Sequence, residues 1–182
     1  MPTRDVAPVG APCWIEVFTS DVEKARAFYG ELFGWTSDDP DPGLGGYFNF
    51  AKDGVRVAGG MGNDGSAGMP DMWSVYLAVD DAQKAADAAT AAGATVFVAP
   101  MEVMDLGTMT VMVDPGGATI GTWQPGTHPG FGVMSEPAAS TAQAIELGGA
   151  QVQGPDDTPY GQLVTIADPT GLQFKLQQPP TD

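Results

Sequence analysis

Two stretches of the chain alternate apolar and polar residues in the manner of half-buried strands, and each is followed by a helix-forming run. CWIEVFT and WSVYLAV are rich in aromatic and β-branched residues, the signature of strands. SDVEKARAFY, from Ser20, and DDAQKAADAA, from Asp80, read as helix openings 60 residues apart. Asp21 and Asp81 stand as N-cap candidates, each followed by Lys-Ala, and Gly34 and Gly93 stop the two helices. Short strands follow: GYFNFA and VRVAGG in the first repeat, TVFVAP, MTVMVD and TIGTWQ in the second. The repeated unit is therefore βαβββ, and two copies fill residues 11–125.

The turns between strands explain their own residues. In Asp114-Pro115-Gly116-Gly117 the proline presets φ and a later glycine accepts positive φ; Asp168-Pro169-Thr170-Gly171 meets the same demands. Residues 126–132 read as a linker from their glycine and proline content. Residues 133–178 form a third, truncated βαβββ-like unit: STAQAIELGGAQV is a short helix with a glycine stop, and GQLVTIADPTGLQFKLQ is a hairpin. FGVM is the stand-in for its missing first strand, and the join falls near MSEPAAS.

Composition narrows the function. An apolar content of 43% suffices for a core, and 25 glycines with 16 prolines fit many turns and short strands. A formal charge of −16 repels a phosphate backbone, so nucleic acid is not an expected partner. No segment approaches the roughly 20 apolar residues of a membrane span, so no membrane partner is expected either. The single cysteine, Cys13, fits a reducing, cytoplasmic setting and reads as a small core residue rather than a nucleophile. The N-terminus has no apolar stretch of the signal-peptide kind.

Tandem βαβββ units, DP-x-G hairpins and the SD-x-x-x-A-x-x-FY helix opening together resemble the vicinal oxygen chelate superfamily, which includes glyoxalase I, extradiol dioxygenases and bleomycin-binding proteins. PCWIEVFTSDVEKARAFYGELFGW and MWSVYLAVDDAQKAADAA are similar, more narrowly, to an actinobacterial glyoxalase-like branch often labelled hydroxylase. The resemblance implies an α+β fold in which tandem βαβββ units form a cupped mixed sheet around a cavity, with the third, incomplete unit attached. Relatives of this branch run to two complete modules, so the second module here looks shortened. A lone third unit would expose an apolar sheet face, which implies pairing with a second copy in a homodimer.

The resemblance also locates the metal ligands of such folds, on the first and last strands of each unit. Those positions fall on Trp14, Ser74, Gly121 and Lys175 in this sequence. None is a good ligand for a divalent ion, so no metal and no other cofactor is expected. The only histidine, His128, lies in the linker and reads as an exposed loop residue.

Strand alternation supplies the lining instead. Trp14, Glu16 and Phe18 share one face of the first strand; Ser74, Tyr76 and Ala78, and Thr119, Gly121 and Trp123, face the cavity from the second repeat. Trp73 falls on the opposite face, as core. Gly121 beside Trp123 would leave room for a planar ligand on an aromatic face. Met101, Glu102 and Asp105, in PMEVMDLGTM, are expected in a loop at the cavity, where the carboxylates bind ligand or are simply a polar loop. Met101, Met104, Met109 and Met112 form an adaptable wall or ordinary core.

Glu16 among aromatics is either an acid–base catalyst, with Tyr76 stabilising an enolate, or a carboxylate held by a serine or tyrosine. The expected ligand-binding set is thus Trp14, Phe18, Ser74, Tyr76, Met101, Glu102, Asp105 and Trp123, with Glu16 and Tyr76 as the catalytic candidates. These features point to a metal-free protein that binds an aromatic or polycyclic metabolite or antibiotic in secondary metabolism. The alternatives are a metal-independent enzyme using Glu16, a metal-dependent glyoxalase or dioxygenase, or a shortened chain with no ligand.

Overall fold

The structure, a computed structural model, describes residues 5–66, 68–133 and 139–179. The fold is α+β and follows the βαβββ repeat. Helix α1 (Val22–Phe33) begins at Asp21, whose carboxylate accepts the Lys24 N–H at 3.0 Å, and ends at Gly34 in the left-handed region at φ 63°. Helix α2 (Ala82–Ala91) begins in the same way at Asp81, which accepts the Lys84 N–H at 3.0 Å. The caps recur because each satisfies helix-end N–H groups that have no partner within the helix. The buried faces differ: α1 buries Ala25, Phe28, Tyr29 and Leu32, whereas α2 buries only Ala82 and Ala86.

Around these helices run strands β1 (Pro12–Thr19), β2 (Thr36–Ser37), β3 (Phe48–Lys52), β4 (Val55–Gly62), β5 (Met72–Ala78), β6 (Thr95–Val103), β7 (Gly107–Val113) and β8 (Thr119–Pro125). The chain folds as two compact units that cut across the sequence repeats. One holds the residues up to Glu16, Arg56–Ala58, and the chain from Ser74 through the segment after β8. The other holds Val17–Val55, Gly59–Trp73 and the third repeat. Strands β1 and β4 divide their residues between the two.

In the first compact unit the strand order is β5-β8-β7-β6. Strand β5 runs parallel to β8, pairing Tyr76 with Gly121 and Ala78 with Trp123, while β8-β7-β6 is an antiparallel meander. The parallel pair makes the sheet mixed. The β7–β8 turn closes as its sequence demands: Gly117, at φ 91°, donates to the Asp114 carbonyl, and Ala118 donates to the Asp114 carboxylate at 2.8 Å.

Beyond β8 the segment read as a linker is an ordered strap. Gly126 and His128 donate to the Leu106 carbonyl at 2.8 and 3.1 Å, Thr127 to the Asp105 carbonyl at 2.9 Å, and Phe131 to the Cys13 carbonyl at 2.8 Å. A Cβ on Gly130 would lie 2.2 Å from the Cys13 carbonyl oxygen, and its φ is 103°. The glycine is there for close backbone approach rather than for flexibility. FGVM forms only an isolated bridge at Val133 among the described residues, and Met134 and most of the join near MSEPAAS lie outside them.

In the second compact unit, β2 and β3 pair antiparallel, and the third repeat supplies helix α3 (Thr141–Glu146) with β9 (Ala150–Thr158), β10 (Gly161–Ala167) and β11 (Gln173–Gln178). Their antiparallel sheet has the order β11-β10-β9. Strand β9 runs through Pro155; as an edge strand it tolerates a residue without an N–H.

This sheet does not stand alone. Phe174 of β11 packs on Phe28, Tyr29 and Phe33 of α1 at ring distances of 6.1, 5.7 and 6.1 Å. Gln143 of α3 donates to the Glu31 carbonyl. Asp168, 3% exposed, accepts the Tyr29 hydroxyl at 2.9 Å, the Thr170 N–H at 2.8 Å and the Leu172 N–H at 3.0 Å. The Trp73 indole donates to the Tyr29 oxygen at 3.0 Å, which places Trp73 in this core as alternation predicts. Burial, and then the Asp168 carboxylate, holds the Tyr29 phenol well above its ordinary pKa. At Phe174 the apolar face that suggested a second copy is met within the chain by the aromatics of α1.

Candidate functional site

The site is built by the start of β1, the parallel pair β5 and β8, the β6–β7 hairpin and the strap. Cys13, Trp14, Tyr76, Ala78, Val111 and Trp123 form one buried cluster, with Val98, Val103, Leu106, Met109 and Phe131 packed against it. Trp14 and Tyr76 are 5% and 3% exposed, so these rings are covered and do not line open space.

Gly121 shows how the space is used. An added Cβ there would lie 2.3 Å from the Tyr76 ring, its parallel-strand partner. The gap expected for a planar ligand is filled by tyrosine. Because β-strand side chains stand nearly perpendicular to the sheet, a glycine opposite an aromatic residue is where that ring can lie flat.

Tyr76 donates its hydroxyl to Glu16 Oε1 at 2.5 Å, so the carboxylate–tyrosine pairing weighed from the sequence is the arrangement found. The Cys13 thiol donates to the Tyr76 carbonyl at 3.4 Å and is buried, as a core residue would be.

The strap carries an unexpected contributor. His128 packs edge-on against Trp14 at 4.7 Å and 86°, and against Trp123 at 5.8 Å and 66°. The Trp123 indole donates to the His128 carbonyl at 2.8 Å, and Phe131 lies 5.6 Å from Trp14. The exposed-loop reading of His128 is therefore corrected: the ring is half-buried between two indoles. Burial, and secondarily the charge of Arg56, lowers its pKa. No sequence signal marks this role, since both ring contacts join residues on different elements.

The expected site residues fare differently. Trp14, Glu16, Tyr76 and Trp123 come together in the first compact unit, and Ser74 is buried on β5. Phe18 is half-buried and belongs to the other compact unit. Met101 and Glu102 are exposed on β6, and Asp105 is exposed in the tight turn between β6 and β7. The loop expected at Glu102 is corrected, because β6 continues through Pro100 to Val103, which it can do as the edge strand of its sheet; Asp105 lies in the turn that follows. Met112 is core, while Met104 is 67% exposed.

The four positions where the resemblance places metal ligands do not fit a divalent ion. They offer an indole, a hydroxyl, a glycine whose side-chain space belongs to Tyr76, and the exposed Lys175 ammonium. Among the described residues no three His, Cys, Asp or Glu side chains gather as a metal centre would need. No helix among them is long and apolar enough to cross a membrane.

Comparison with known proteins agrees with this architecture. The Streptomyces peucetius anthracycline biosynthesis protein DnrV is 39% identical over 145 residues, covering 71% of this chain and 52% of DnrV. CFP32 of Mycobacterium bovis is 36% identical over 140 residues, covering 75% of this chain and 54% of its own. The chain thus spans about half the length of the curated relatives it matches. Among solved structures, the 2,3-dioxygenase LapB from Pseudomonas sp. KL28 shares the fold with a TM-score of 0.56 at 13% identity, covering 96% of each chain. The profile of the Glyoxalase/Bleomycin resistance protein/Dioxygenase superfamily matches residues 13–122, and with it the chain belongs to that superfamily.

Proposed function

We propose that this chain binds an aromatic or polycyclic small molecule without a metal. The observation that carries the reading is the replacement of the inherited ligand positions by Trp14, Ser74, a tyrosine-filled Gly121 and Lys175, with Trp123 two residues beyond Gly121 on β8. Indole faces attract planar rings through offset and edge-on contacts, and a divalent ion has no use for them. The name of DnrV, an anthracycline biosynthesis protein, supports a polycyclic ligand in secondary metabolism, although this chain covers only half of that relative. The test is a titration of tryptophan fluorescence with neutral anthraquinones, alongside a thermal-shift screen of divalent metals. Quenching that saturates without added metal is the expected result. A shift of several degrees with one ion, and no quenching, overturns it.

A second reading is favoured by one contact, the short hydrogen bond from Tyr76 to Glu16. It joins a base and an acid that could together move a proton at a carbon beside a carbonyl. Glu16→Gln distinguishes the two: turnover lost with affinity kept identifies an enzyme, whereas equal affinity and no product from either form identifies a binder. Homodimer formation is a separate reading, supported by the cavity that Leu163, Val164 and Leu176 line on the third repeat's sheet, and a monomer in sedimentation at micromolar concentration overturns the dimer alone.

A further inference from the structure

The strap holds the aromatic cluster in a way that specifies what could replace it. His128 gives the cluster two things: a flat ring set against Trp14 and Trp123, and a carbonyl oxygen 2.8 Å from the Trp123 indole nitrogen. Trp123 is 8% exposed, and its indole can only donate. A group that displaced the strap without offering an acceptor would leave that buried donor unpaired.

The strap is also fixed so that one part can leave without the rest. Its base is held by Gly126 and Thr127 on the carbonyls of Leu106 and Asp105. The part that covers the indoles, His128 to Phe131, rests on the His128 amide, the Trp123 indole and the Phe131 amide on Cys13. Glycines at 126, 130 and 132 flank or interrupt it.

We propose that residues 128–131 are a displaceable internal stand-in, and that the ligand taking their place is a planar aromatic ketone or quinone whose carbonyl accepts the Trp123 indole N–H. The proposal rests on the small-molecule-binding reading above and adds to it the ligand's polar requirement and the segment that must move. Displacement passes the Phe131 amide to water and unpairs the Cys13 carbonyl beneath the ligand, a cost offset by the ring area that replaces His128 and Phe131 on Trp14. Discrimination comes from the buried donor: a site built around one hydrogen bond rejects the isostere that lacks it.

The paired probes are 2-(hydroxymethyl)anthraquinone and 2-(hydroxymethyl)anthracene, which share a three-ring frame and differ in the ring carbonyls. The quinone should bind about tenfold tighter, the worth of one buried hydrogen bond. Trp123→Phe should bring the two affinities together. Hydrogen exchange on the unaltered protein gives a readout that needs no variant. With quinone bound, the His128 and Phe131 amides should exchange at least about tenfold faster, as loss of their partners requires, while amides of β7 and β8 do not. Equal binding of the two probes, or strap amides that stay protected in the quinone complex, overturns the strap proposal and leaves the binding reading standing. Failure of both probes to bind either the natural protein or His128→Ala overturns the binding reading, and this proposal with it.

Discussion

Gly121 and His128 are where single residues decide what this chain can do. Gly121→Ala introduces no backbone strain, because the residue lies in extended strand β8, so its effect isolates the contact with Tyr76. Overpacking of this kind costs about 1–3 kcal/mol, to be read as a lower urea midpoint with an unchanged slope. A neutral result would mean that the space belongs to something other than Tyr76. His128 makes a pH prediction of definite sign. Its folded pKa lies below the unfolded value, so its contribution is complete above about pH 6.5 and declines as pH falls from there towards the folded pKa. The natural protein should lose unfolding free energy between about pH 7 and 5 that His128→Gln does not lose; Arg56 is the charged group that opposes protonation of the ring. Neither role was legible beforehand. A glycine in a strand reads equally as room for a ligand or room for a neighbour's ring, and the ring and charge that bury a lone histidine from across the fold, here Trp14 and Arg56, lie on strands distant in sequence.

Elements whose cause is local were readable, and those whose cause is tertiary were not. Both helix starts followed from Asp21 and Asp81, and both DP-x-G turns from their prolines and glycines, since each interaction closes within four residues. The strap was misread as a linker for the opposite reason. Glycine, proline and aspartate signal a turn, but at an edge strand or against another backbone the same residues serve an ordered segment. A pair of substitutions separates these uses. Gly117→Ala meets open space and carries only the strain of φ 91°, about 1 kcal/mol. Gly130→Ala carries similar strain and also strikes the Cys13 carbonyl, so it should destabilise by clearly more. Equal losses in thermal unfolding would show that the strap yields without cost and is not anchored at Cys13.

At the scale of the molecule, the third repeat is tied to the first helix by a buried carboxylate. Asp168→Ala leaves the Tyr29 hydroxyl and the amides of Thr170 and Leu172 without their acceptor, a loss of about 3 kcal/mol or more. Tyr29→Phe should cost less, and the double variant should cost less than the sum, because both act on one network. Additive losses in denaturant unfolding would mean that the two residues stabilise different things. The sequence revealed the third repeat through its turn and hairpin, yet Asp114 and Asp168 look alike there; one is exposed and the other is sealed against α1.

That seal also orders events at the ribosome. Tyr29 and Asp168 stand 139 residues apart. At elongation rates of roughly 5–20 residues per second α1 emerges about 7–28 seconds before the carboxylate and Phe174 that cover it. During that interval the nascent chain carries the side of Phe28, Tyr29 and Phe33 that Phe174 later covers. Synthesis of the third repeat, not the folding of the first, hides it from chaperones and from neighbouring chains.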